Sequence, residues 1–261
     1  MSSFVQGFTR LTWDVSQVKS FDFKTDQGQT YDVLIDLQGE GEANIQCDVA
    51  QNSILNLFYL NVGQALKLNE RYQVQSQASF KLTYADFNEA ALDRTSEVIL
   101  LGEGARVHLK SAILVQSKKE LNYRFSHQAA FTQGDMENFA VTMKDGSMNL
   151  HAIGHIAKQA PNSETHQTTR VLNYNSSQRA SVYPQLIIDN NDVKASHAQS
   201  SGQIDPEQLY YLQTRGLSQG DAVRLMIQGY LTSILEGIKD EPLKTSLLAS
   251  IEKKVDEVCS M

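Results

Sequence analysis

Few side chains in this sequence could do chemistry: 261 residues carry six histidines and two cysteines. His197 is the most informative of them. In Val193-Lys-Ala195-Ser-His197, period-two alternation puts the imidazole on one face with Val193 and Ala195, where it is either packed structurally or offered as a ligand. The same alternation turns Ser196 to the opposite face, so Ser196 and His197 do not form a nucleophile and its base. His151-Ala-Ile-Gly-His155 superficially suggests a zinc motif, but HEXXH chemistry needs a glutamate after the first histidine and a helix to bring the two rings together. Here that position is Ala152 and the context is a strand, in which four residues span about 13 Å, too far for one metal. Cys47 alternates with Ala43, Ile45 and Val49 and reads as a small buried hydrophobe, and Cys259 carries no inference.

Two thiols are too few for a disulfide framework or for a complete four-thiolate cluster or zinc site, and they fit a reducing compartment. No Gly-x-x-x-x-Gly-Lys-Ser/Thr loop and no Gly-x-Ser-x-Gly elbow occurs. The chain is therefore expected to be a non-catalytic protein, with any ATP hydrolysis belonging to a partner. A net charge of −7 argues against nucleic acid as a partner. The N-terminus lacks a basic region followed by an apolar run, and no segment approaches the roughly 20 apolar residues of a membrane span. These features predict a soluble, cytoplasmic protein.

The elements that must position His197 are strands. From about residue 19 to 197 the sequence alternates with period two, as in Tyr31–Leu37, Ala43–Val49, Ala78–Tyr84 and Ala105–Ser111. Gly39-Glu-Gly41 precedes Ala43 and Gly102-Glu-Gly104 precedes Ala105, and further copies of this faint repeat start at Asp145 and Gln178. A β-solenoid would explain such a repeat, and a β-sandwich accounts for the same alternation.

After Gly202 the pattern turns helical. Asp205-Pro206 supplies a cap and a first-turn proline, and Arg215-Gly216 a basic last turn and a left-handed stop. Ser218-x-x-Asp221 caps a second helix carrying Ala222, Leu225, Met226, Gly229, Tyr230, Ser233 and Ile234 on one stripe. Asp240-Glu-Pro242 opens a third, with Leu243, Leu247, Leu248, Ile251, Val255 and Val258 as its apolar face. Such stripes dock either on the chain's own domain or on a partner.

The segment Pro184-Gln-Leu-Ile-Ile-Asp-Asn-Asn-Asp-Val-Lys-Ala-Ser-His197-Ala is similar to the SufD signature, in which a Pro-x-Leu-x-Ile strand leads through Asp-Val-Lys to Cys-Ser-His-Gly. Gly202-Gln-Ile-Asp-Pro-Glu-Gln-Leu-Tyr-Tyr-Leu-Gln-Thr-Arg-Gly216-Leu resembles the family's next helix, and Ala222 and Gly229-Tyr230 match the one after it. Upstream, Met143-Lys-Asp-Gly-Ser, Gly154-His-Ile-Ala-Lys and Gln167-Thr-Thr-Arg170 resemble family strands, so the likeness runs from about residue 125 to 240. The chain is identified as a member of the SufB/SufD family of iron-sulfur cluster assembly proteins, on the SufD-like side.

The resemblance implies a right-handed parallel β-helix over residues 1–200 and a helical segment over 201–261 that docks the partner ATPase. It implies pairing with a SufB-like paralogue, or with a second copy in a homodimeric SufB-like scaffold, and contacts with a SufC-like ATPase from roughly Asp205 to Glu236. Tyr210, Tyr211, Arg215, Gly216, Met226 and Tyr230 are the residues expected to make those contacts. It further implies that His197 helps to hold transient iron or a nascent cluster shared with the partner subunit, none being held by this chain alone. Ala195 stands where SufD-like sequences often have cysteine, which removes a thiolate there and leaves His197 as the one candidate ligand. Family members usually carry an N-terminal helical region, whereas strand-like sequence begins here almost at once. A β-helical carbohydrate-binding protein is the alternative from another class, and its expected marks are a signal peptide and acidic and aromatic residues clustered on one face.

Overall fold

The computed structural model describes residues 7–61, 63–143, 145–174, 179–236, 238 and 241–259. Lys144, Gln178 and Asp240, and the side chains of Pro242, Leu243, Val258 and Cys259, enter the expectations above but lie outside the described residues. The first strands are β1 (Gly7–Asp14), β2 (Ser20–Lys24), β3 (Thr30–Gln38), β4 (Gly41–Val49), β5 (Ile54–Asn61), β6 (Leu66–Val74), β7 (Ser79–Asp86) and β8 (Leu92–Leu100). They continue as β9 (Arg106–Val115), β10 (Lys118–His127), β11 (Gln133–Thr142), β12 (Ser147–Ile156), β13 (Ser163–Asn173), β14 (Arg179–Ile188) and β15 (Val193–Gln203).

Odd-numbered strands form one sheet in the order β1-β3-β5-β7-β9-β11-β13-β15, and even-numbered strands form the other, β2 to β14. Every strand pair is parallel. The chain thus climbs by one strand of each sheet per turn, a parallel β-solenoid of about seven turns. That pairing excludes the sandwich, whose strands would run antiparallel.

The rise of each turn is uneven in sequence. Gly7 pairs with Tyr31, a step of 24 residues, whereas Ser147 pairs with Arg179, a step of 32. The Gly-x-Gly turns singled out in the sequence introduce strands of different sheets: Ala43 lies in β4, while Ala105 precedes β9. They are therefore not equivalent positions of one repeat. The repeated position is a corner between even and odd strands, where Gly28, Asn52, Gln77, Gly104, Phe131 and Asn162 all take positive φ between 56° and 72°. Each donates its backbone N–H to a carbonyl one turn further on, from Gly28 to Gln51 at 3.1 Å through Phe131 to Pro161 at 3.0 Å and Asn162 to Asp192 at 2.6 Å. The left-handed residue is what aims that N–H along the solenoid axis.

Phe131 is the misfit of this column, a phenylalanine at φ 60° with its ring 54% exposed. Phe131→Asn should relieve backbone strain while giving up the covered part of the ring, for a net gain in stability of up to about 1 kcal/mol. Thermal melts of the two proteins check this, and an unchanged or lower Tm would mean that the ring makes compensating contacts.

Inward-facing side chains of both sheets fuse into one core, which runs from Trp13 to Val171. A second apolar layer lies outside the odd-numbered sheet. There Leu34, Phe58, Leu60, Ala112, Leu114 and Val141 are covered by helix α2 (Gln219–Leu231), the 3-10 turn Thr232–Leu235 and helix α3 (Glu241–Cys259). Helix α1 (Pro206–Thr214) packs on α2 and buries none of its own residues.

The helix signals in the sequence are used as expected. Asp205 accepts from the Glu207 N–H at 2.9 Å, Ser218 from the Asp221 N–H at 3.1 Å, and Gly216 has φ 93°. The stripe on α2 is rotated from the expected one. Ala222 and Ile234 are buried as expected, but between them Val223, Ile227 and Leu231 pack on the solenoid, while Leu225 is 49% exposed and Met226 only half-buried. Apolar residues around α2 support two stripes, and the one carrying Val223, Ile227 and Leu231 meets the apolar layer of the odd-numbered sheet. On α3, Leu247, Ile251 and Val255 are buried as expected, and Leu248 is turned outward.

Candidate functional site at the open end of the solenoid

β14 and β15 terminate their sheets, so the last turn offers two open strand edges. Its side chains are nearly all exposed on both faces of β15. His197 lies in the middle of that strand, in register with Gln167 of β13. Below it the same column continues through Met136, Leu109, Leu82, Leu57 and Val33, all inward-facing core residues. The imidazole is thus an inner-face residue that is exposed because no further turn covers it. Ser196 points to the outer face, where its hydroxyl bonds His166 Nδ1 at 2.7 Å. This is the opposition of Ser196 and His197 that the alternation required.

The column turns polar only near this end. Ser163, Thr165, Gln167 and Thr169 are inward residues of β13 and are buried. Alternating polar residues read in a sequence as a solvent-facing side, and that signal misleads here because β15 lies over them. The Gln167 amide Nε2 donates to the Gln185 carbonyl on β14 at 3.2 Å, spanning the interior above Gly154. Thr165 Oγ1 and Gln167 Oε1 are buried without hydrogen-bond partners. A side chain on Gly154 would press on both residues, so this glycine makes room for them.

His151 and His155 face outward on β12 and do not converge. The His151 ring stacks on Tyr183 with centroids 4.6 Å apart. His155 Nδ1 receives Arg124 Nη2 at 3.3 Å, and His155 Nε2 meets Asp189 Oδ2 at 2.9 Å. Since arginine can only donate, Nδ1 is the acceptor and Nε2–H the donor, and both ring nitrogens are occupied. Among the described residues, no three His, Cys, Asp or Glu side chains gather as a metal site. Cys47 is buried in the interior, where burial and the nearby Asp48 raise its thiol pKa well above the ordinary value.

A second polar feature, absent from the sequence reading, lies deep inside the solenoid. Arg94 is fully buried between Glu70, Nε to Oε1 at 3.3 Å, and Asp86, Nη1 to Oδ2 at 2.5 Å. Its guanidinium sits 3.9 Å from the Tyr84 ring centroid, and the Tyr84 hydroxyl donates to Glu70 and accepts from the Ser96 hydroxyl. Tyr72 donates to Tyr59 at 3.1 Å and completes the cluster. Burial raises the Glu70 carboxyl against the opposing pull of Arg94, while the two carboxylates outweigh burial at Arg94 and raise its pKa. Nearby, the Lys119 ammonium reaches Asn88 Oδ1 at 2.7 Å and the Ala90 carbonyl at 2.6 Å, and burial lowers its pKa to about 8.

The residues expected to meet an ATPase gather on α1 and α2. Tyr210 and Tyr211 are 69% and 56% exposed, and Arg215 lies over Tyr211 with Nη2 3.2 Å from its hydroxyl. A cleft of about 400 Å³ between the helices is lined by Asp205, Glu207, Gln208, Tyr211, Leu212 and Met226. Gly216 is exposed just beyond α1, whereas Tyr230 packs partly against the layer between the helices and the solenoid. Among the described residues no helix is long and apolar enough to cross a membrane.

A family model described as "SUF system FeS cluster assembly, SufBD core domain" matches residues 16–230. The chain belongs to the SufBD family. Within it the chain is SufD-like: it is 32% identical over 158 residues to the iron-sulfur cluster assembly protein SufD of Bacillus subtilis, covering 60% of this chain and 36% of that protein. SufD of Escherichia coli is 26% identical over 168 residues, 64% of this chain and 40% of the relative. A SufBD family protein of Staphylococcus epidermidis is 18% identical over 232 residues, 88% of this chain and 46% of the relative. This SufBD chain thus spans less than half the length of these relatives. The match reaches from the first turns through β15 to α2, and so includes His197 and the α1–α2 cleft.

Proposed function

We propose that this SufBD chain is a SufD-like scaffold subunit of an iron-sulfur cluster assembly complex. It pairs through its last turn with a SufB-like paralogue, docks a SufC-like ATPase through α1 and α2, and presents His197 at the junction. The reading is carried by one observation: His197 stands on the inner face of a terminal strand whose edge is open. An exposed parallel edge is a row of unpaired N–H and C=O groups, a template for another chain's strand. A partner seated there would cover β15 and bring its own side chains up to the imidazole. Imidazole suits iron, and one such ligand needs others, which the partner supplies. Nascent cluster or incoming iron is the cargo of this site, and hydrolysis of ATP is the work of the docked ATPase.

The exposed tyrosines of α1 and the outward Leu225 of α2 support the ATPase contact. They lie on the side of the helices away from the solenoid, where aromatic residues make effective anchors. Co-purification with the paralogue and the ATPase, followed by chemical reconstitution, tests the proposal. His197→Ala should leave the complex assembled and reduce the cluster it holds by tenfold or more, on the order of losing an essential ligand. Failure to bind either partner, or uptake of a stoichiometric cluster by the isolated chain, would refute it. The same open edge is self-complementary with a second copy, giving a homodimeric SufB-like scaffold. The stoichiometry of the native complex separates that arrangement from the heterodimer.

A further inference from the structure

We propose that Gln167 is a positioning residue for His197, its side-chain oxygen holding one imidazole N–H so that the other ring nitrogen points to the ligand. The inference rests on His197 being the ligand at the open end. The carboxamide of Gln167 is oriented by the structure: the group facing the Gln185 carbonyl must be the NH₂, because that carbonyl can only accept. Its oxygen is therefore an acceptor, and it is buried with no donor of its own. A buried unsatisfied acceptor costs about 1–3 kcal/mol, so a donor within reach is stabilising.

Two donors on the inner face flank this oxygen. Below Gln167 lies Met136, which has none to give; two residues away on the same strand is the buried Thr165 hydroxyl, and above, in direct register on the neighbouring strand, lies His197. If Thr165 took the oxygen, the His197 signal would be unchanged in Gln167→Met. Residues paired in register are about 4.8 Å apart, within reach of a glutamine and an imidazole. Metal-bound histidines ordinarily use their second nitrogen in this way, and the hydrogen bond selects the tautomer and the ring orientation. The lack of a side chain at Gly154 lets the glutamine cross the interior, and its bond to His197 would join β15 to β13 beneath it and to β14 of the facing sheet.

The alternative use of the Gln167 oxygen, as a second ligand to iron, is less favourable. Amide oxygens suit hard cations such as calcium, whereas iron in a cluster is held by thiolate or imidazole.

Two variants and two readouts test the proposal. Gln167→Met keeps the length and removes the acceptor, and Gln167→Glu keeps an acceptor. The chain, labelled with ¹⁵N in its histidines, is examined at a pH where the rings are neutral, with His197→Ala assigning the resonance. In the wild type and in Gln167→Glu the His197 ring should populate one tautomer with an N–H slowed in exchange. In Gln167→Met the tautomers should average and the slowed N–H should vanish. In the complex with the paralogue and the ATPase, Gln167→Met should lower the reconstituted cluster about tenfold, and Gln167→Glu should restore it. An unchanged His197 signal in Gln167→Met, in a protein that melts cooperatively, overturns the positioning role. If instead His197→Ala retains the cluster while the imidazole signal still follows Gln167, the ligand reading fails and the hydrogen bond stands.

Discussion

Replacing Arg94 with methionine is expected to lower stability by about 3–5 kcal/mol, because it leaves two carboxylates in the interior without a counter-charge. Arg94, Glu70 and Asp86 are all fully buried, so solvent offers no substitute. Breaking such a triad by removing one member costs far more than the triad contributes to stability over an apolar replacement of similar volume. Protonation of Glu70, already favoured by burial, would limit the loss without abolishing it. Single domains are stable by only about 5–15 kcal/mol, so the variant should melt roughly 10 °C or more below the wild type. Replacing all three residues with apolar ones should recover much of that difference, and the comparison separates unpaired charge from lost volume. A single variant that melts with the wild type would show that water reaches the carboxylates.

Acid should destabilise the solenoid through His127. Its ring is buried, hydrogen-bonded at Nδ1 to Thr132 Oγ1 at 2.8 Å, and Nε2 has no partner. Burial, with a smaller contribution from nearby His155, lowers its pKa from 6.5 to about 4. The folded protein therefore keeps this imidazole neutral at a pH where the unfolded chain protonates it. Stability from this group is complete above pH 6.5 and falls as the pH drops toward 4. The full loss is about 3 kcal/mol. Urea denaturation at a series of pH values measures it, and His127→Gln should flatten the slope between the two pKa values. An equal slope in the variant would place the acid sensitivity elsewhere.

The strands themselves were legible in the residues, as in β4, where inward Ala43, Ile45, Cys47 and Val49 alternate with more exposed neighbours as a half-buried strand must. The caps of α1 and α2 were legible for the same reason, since Asp205 and Ser218 satisfy backbone groups two or three residues away. The correct stripe of α2 was not. Leu225 and Val223 are equally apolar, and only the shape of the layer formed by Leu114 and Val141 decides which of them is buried. Gln167 lay in a segment recognised for its likeness to the family, yet its role was invisible. Its polar alternation with Thr165 and Thr169 belongs to an inner face.

The amino-acid sequence determined the local elements, the change from strand to helix after Gly202, the family likeness around His197 and the absence of a thiol at Ala195. These depend on interactions within a few residues or on residue identity itself. Tertiary structure alone decided that strands pair two apart in chain order, that Arg94 meets Glu70 and Asp86, and that His197 stands over Gln167 at an open end. Partners in register on neighbouring strands are 24 to 32 residues apart, by a spacing that changes from turn to turn. They are joined first by backbone hydrogen bonds, which any side chain can accompany, so the spacing leaves no periodic mark in the sequence.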